Sequence, residues 1–155
     1  MARKNVIGVI FSLETSKGVA YGLCTHENEC YKSYLVHLYP IGTELSELKE
    51  TEPQFCTLFQ LRIALRQKGL KEIIKEVGRM EIPEQLKKFP LFRKGIPGPG
   101  TVKVNCWSFW DGEKHWDVGD ITDEQRKMPV EGIWNTASII WGLETGYTAE
   151  KNKLI

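Results

Sequence analysis

Histidine is scarce in this chain of 155 residues: His26, His37 and His115 are the only three. Cysteine is nearly as scarce, with four residues, Cys24, Cys30, Cys56 and Cys106. That number does not build a disulfide scaffold, and a chain of this length can form a core without one. The one metal-like spacing is "CTHENEC", where Cys24, His26 and Cys30 supply three potential zinc ligands. It matches no paired knuckle, and no second Cys/His pair stands at finger distance. Neither metal nor cofactor is expected.

Other absences exclude further classes. No run approaches the ~20 apolar residues of a membrane span. Arg3 and Lys4 precede an apolar run, as in a signal peptide, but Glu14 ends the run from Val6 to Leu13 early. A first strand and a cytoplasmic location are the expectation. The phosphate-binding patterns GxxxxGK[ST] and GxGxxG are missing, and "GIPGPG" places prolines where a helix would have to begin. No GxSxG elbow occurs. A deaminase would need HxE, whereas Glu27 follows His26 directly.

Net charge is +1, so no global field points to nucleic acid or a membrane. The charges are nevertheless uneven. Residues 62–103 carry eleven Lys and Arg against four acids, and residues 104–131 carry three against seven. The basic stretch reads as solvated faces of strands and helices, because its charges are interleaved with apolar residues. The acidic stretch is more concentrated.

What is present is β-forming sequence. "NVIGVIFSLETSKGVAYGLCTH" reads as two strands around a "TSKG" turn, and "YKSYLVHLYPIG" as a third closed by Pro40 and Gly42. "TELSELKETEP" is a polar link. Phe55 to Ala64 reads as a buried strand, and "EIIKEVGRMEI" as another. "PEQLKKFP" suits a short helix, while "FRKGIPGPG" reads as an irregular connection. Thr122 and Gln125 form a capping box, so a short helix begins there. Asn135 and Gly146 bracket a last helix, and the tail after it reads as frayed. The chain is expected to be a single α+β domain, mostly antiparallel, with three to four short helices.

Aromatic residues concentrate in "NCWSFWDGEKHWDVG", which holds three of the five tryptophans. Asp111-Gly112 between two strand-like runs predicts a two-residue type I′ hairpin. In that register Trp107 faces Trp116, Phe109 faces Lys114, Trp110 faces Glu113 and Ser108 faces His115. Trp107, Phe109 and Trp116 then share one face with Lys114, and Trp110 lies on the other. Two readings of the cluster Trp107, Phe109, Trp110 and Trp116 stand side by side: a packed core, or an exposed platform for a sugar or a base. Ser108, His115 and Asp117 share a face, but a flat ladder does not place a nucleophile under an oxyanion hole.

The order of "VIGVIFSLETSKGVAYGLC", "LFQLRIA", "EVGRMEIPEQLKKFP" and "WSFWDGEKHWDVGDITDEQRKMP" before a C-terminal helix resembles the immunity protein 26 family of bacterial polymorphic toxin systems. The resemblance covers residues 5–146. It implies a protein without an enzymatic reaction, which binds a cognate toxin domain and neutralises it. The family supplies no catalytic residues to carry over. The acidic segment Asp111, Glu113, Asp117, Asp120, Asp123 and Glu124 is the expected toxin contact, since opposed charge speeds encounter with a basic cleft. Neither a membrane nor a nucleic acid partner is expected. The alternative is a binding module for carbohydrate or single-stranded nucleic acid that uses the hairpin aromatics.

Overall fold

A computed structural model describes residues 5–100 and 104–152. Val9–Thr15 (β1) and Gly18–Asn28 (β2) pair antiparallel around Ser16 and Lys17, as the turn residues predict. Ser33–Leu38 (β3) pairs with β2, and Phe55–Phe59 (β4) with β3. Leu61–Arg66 (α1) follows directly. Ile74–Arg79 (β5) returns to the free side of β1. Phe92–Pro97 (β6), Val104–Trp110 (β7) and His115–Gly119 (β8) make a second sheet. Ile133–Trp134 (β9) adds a short parallel strand to β4, and Thr136–Thr145 (α2) follows. The result is a six-stranded sheet, β5-β1-β2-β3-β4-β9, and a three-stranded sheet, β6-β7-β8.

Alternation along the strands divides the core. Phe11, Leu13, Val36, Leu38, Phe55 and Phe59 face the helices and pack with Ile139 and Leu143 of α2. The opposite face of the same strands carries Ile10, Leu23 and Tyr39 in one cluster, and Leu35 and Leu58 in another. Phe92 and Trp110 complete the latter cluster, so the second sheet is held to the first through them. Each fully buried side chain of this size contributes about 1.5–3 kcal/mol.

Several expectations change. The strand predicted from Phe55 to Ala64 stops at Phe59. Beyond it, Leu61 and Ala64 are buried at helical spacing while Ile63 points to solvent, which is the period of α1 and not of a ladder. The connection predicted at "FRKGIPGPG" is strand β6 as far as Pro97. Gly95 makes this possible: a Cβ there would lie 2.8 Å from Val104 and 2.9 Å from the Trp107 ring. Proline stands only at the strand's last position, after a bulge. Of the three to four helices, two are α-helical among the described residues. The segments at Glu84–Leu86 and Gln125–Lys127 are single 3-10 turns, too short for an α-helical bond pattern. The Thr122–Gln125 box does form, each residue's side chain accepting the other's backbone N–H. The tail is not frayed at Ala149–Lys151, which makes a further 3-10 turn. Arg93, fully buried in β6, donates to the carbonyl oxygens of Ala149 at 2.7 Å and Asn152 at 3.4 Å. Among the described residues no helix is long and apolar enough to cross a membrane.

Candidate functional site

The hairpin β7–β8 is the first candidate surface. Its register differs from the predicted one by two residues from Ser108 to Trp110, and by three at Trp107, beyond a bulge between Trp107 and Ser108. Trp110 lies opposite His115, Phe109 opposite Trp116, and Ser108 opposite Asp117; Trp107 is across from Gly119. Asp111 causes the shift. Its carboxylate Oδ1 accepts the backbone N–H groups of Glu113 at 2.9 Å and Lys114 at 2.8 Å, and its own N–H donates to the Lys114 carbonyl at 3.2 Å. The turn is therefore centred on Gly112-Glu113, with Asp111 as its first corner. Gly112 alone has positive φ, at 104°, which fits the primed turn with glycine first and not type I′, where both central residues need it. These backbone N–H groups, Lys114 first, hold the Asp111 carboxyl below the usual range.

From Ser108 to Trp110 a shift of two residues leaves the paired side chains on their predicted faces, whereas a shift of one would have inverted them. The Trp107–Trp116 pair is thus replaced by Phe109–Trp116, with centroids 6.4 Å apart in edge-to-face geometry. Aromatic side chains on both faces of β7 are buried. Trp110 is fully buried against Phe92, Phe89 and Tyr31. Trp107 is buried on the other side, where Arg93 and Arg126 lie over its ring at 5.2 and 5.4 Å. On β8, by contrast, Trp116 is 41% exposed. Of the four hairpin aromatics, three are core and one is surface.

The six predicted acidic residues are all exposed. Asp111 is committed to the turn, and Glu124 pairs with Lys127 at 3.1 Å. Glu113, Asp117, Asp120 and Asp123 flank Trp116 in sequence, on and after a strand whose outer edge carries no further strand among the described residues.

His115 does not join Ser108 and Asp117. Its ring stacks on Trp110 at 5.8 Å, and its Nε2 lies 2.9 Å from both carboxylate oxygens of Glu131. Glu131, with 2% of its side chain exposed, also accepts a 2.5 Å bond from the Tyr31 hydroxyl. Burial, and then that bond, push the Tyr31 phenol up to about 12. The cluster ties the β2–β3 turn, the hairpin and the approach to β9 together. Nothing in the local sequence marked Glu131, which meets its partners only in space.

The "CTHENEC" residues do not converge. Cys24 is buried among the core side chains, and burial pushes its thiol up to about 12. His26 is engaged by Thr25 at 2.8 Å and by the Lys87 carbonyl oxygen at 2.7 Å. Cys30 is exposed.

The second candidate is a cavity of about 560 Å³ beside β3, β4 and β9, lined by residues from both faces of the six-stranded sheet and from the segment after α2. His37 on β3 and Cys56 on β4 are cross-strand partners in its floor. Burial holds His37 down to about 4 and pushes Cys56 up to about 12, so both are neutral at pH 7. A Cys–His ion pair is therefore not formed. Phe55, Trp134 and Tyr147 make an aromatic wall, with mutual centroid distances of 5.0–5.4 Å. His37 Nε2 and Thr148 Oγ1 are buried without a hydrogen-bond partner, at a cost of about 1–3 kcal/mol each. No sequence motif announces this site: His37, Cys56, Trp134 and Tyr147 come from four separated segments. No protein-family model matches the chain, nor does any curated protein or solved structure.

Proposed function

We propose that this chain is an immunity protein that binds a cognate toxin domain stoichiometrically and neutralises it through the exposed side of β8. The observation that carries the reading is the setting of Trp116. A large ring stands 41% exposed on a strand that is an edge among the described residues, and the exposed acids Glu113, Asp117 and Asp120 flank it along the chain. Interfaces favour an exposed aromatic anchor in a segment whose charge opposes that of the partner. The resemblance to the immunity protein 26 family supports the same reading. A stacking platform for sugar or single-stranded nucleic acid is less well served. Such sites use several open rings, and Trp107, Phe109 and Trp110 are buried.

The test is co-expression with the toxin domain encoded beside the gene. A 1:1 complex on size exclusion and protection of the cells are the expected result; absence of both overturns the reading. The surface is tested separately with Glu113→Lys, Asp117→Lys and Asp120→Lys combined. Asp111 is left intact because it builds the turn. The association rate at low salt should fall on the order of tenfold or more. An unchanged rate together with unchanged protection removes β8 from the interface.

A further inference from the structure

The cavity beside β3, β4 and β9 has the composition of a ligand site, independently of the hairpin. We propose that it binds a small organic cation, an amine or amidinium carried on a flat apolar body. Its volume of about 560 Å³ suits such a molecule. Phe55, Trp134 and Tyr147, packed on one another, line one side of the cavity, and aromatic rings attract a cation. At the mouth, three exposed carboxylates line the cavity: Glu50, Glu52 and Glu150. Lys127, the one Lys or Arg among the described lining residues, is already paired with Glu124 at 3.1 Å.

The floor adds no positive charge. His37 is 6% exposed and sits opposite Cys56, both uncharged at neutral pH for lack of solvent. The floor is thus neutral and the rim mostly anionic, while the buried Arg93 behind the wall is engaged by the Ala149 and Asn152 carbonyl oxygens, a balance that favours a cation over a carboxylate or phosphate. The unpaired His37 Nε2 and Thr148 Oγ1 are a second, independent mark. Buried polar atoms without partners are rare in folded proteins, and here two belong to residues that line one cavity.

Calorimetry at pH 7 and low salt tests this with named probes. Tryptamine and benzamidine should bind at least tenfold more tightly than tryptophol, which is neutral, or indole-3-acetate, which is anionic. Glu50→Gln, Glu52→Gln and Glu150→Gln are surface changes; combined, they should weaken tryptamine at least tenfold while thermal unfolding stays unchanged. Trp134→Leu should weaken it too, in a protein shown by circular dichroism to be folded. Failure of both cations to bind, equal binding of the neutral and anionic probes, or unaltered binding in the triple variant would each overturn the proposal.

Discussion

The two sheets bury aromatic side chains in different ways. The six-stranded sheet is covered on both faces, by α2 and its neighbours on one side and by the three-stranded sheet on the other. The three-stranded sheet is covered on both faces only where Phe92 and Arg93 of β6 meet Phe109 and Trp110 of β7; β8 leaves Trp116 open to solvent. Adjacent strands of one hairpin thus carry tryptophans at 0% and 41% exposure. The lesson is that an aromatic cluster in sequence is not one structural object. Trp110 attaches the small sheet to the large one, Trp107 is sandwiched under arginines, and Trp116 is available to a partner.

The largest effect should follow from cutting the attachment. Trp110→Ala removes a fully buried ring that touches Phe89, Phe92, Tyr31 and His115, and should destabilise the protein by about 3–5 kcal/mol in urea unfolding. If the loss is below about 1 kcal/mol, the small sheet is not held through this ring.

Acid should next distinguish the large sheet's second face. His37 is held down to about 4 in the folded protein, against 6.5 unfolded. The unfolded chain therefore binds more protons between these values, so stability is complete above pH 6.5 and falls as pH drops towards 4. The loss is up to about 3 kcal/mol. His37→Gln should flatten that part of the stability–pH curve; an unchanged slope would show that other groups set it.

The turn is a smaller lever. Gly112→Val forces a β-branched residue to φ 104° and places a Cβ 3.0 Å from the Phe89 ring. A loss of about 2 kcal/mol is expected. A fully stable variant would mean that the turn can be rebuilt around another residue.

Trp116→Ala should cost least, under about 1 kcal/mol of stability, because the ring keeps little beyond its edge contact with Phe109. The same substitution should weaken toxin binding by more than about 2 kcal/mol if the ring is an interface anchor. Equal effects of Trp110→Ala and Trp116→Ala on stability would erase the distinction between the two strands.

Local rules reached far into this fold. The β1–β2 turn, the Thr122 capping box and the α2 helix, with Asn135 accepting from the Ser138 N–H at 2.8 Å and Gly146 left-handed at its end, follow from short-range hydrogen bonding and backbone preference. So do the faces of the hairpin strands, because period-two alternation survives an even shift of register. What needed the tertiary structure was every choice that depends on a distant neighbour. Asp111 became a corner, not a centre, once Glu113 and Lys114 both donated to it. "FRKGIP" became a strand because Trp107 packs close over Gly95. "LRIALR" turned helical because Leu61 and Ala64 meet the core together. The His37–Cys56 floor, the aromatic wall and the Tyr31–Glu131–His115 cluster join residues far apart in the chain, and burial and proximity across such distances leave no mark in any short window of sequence.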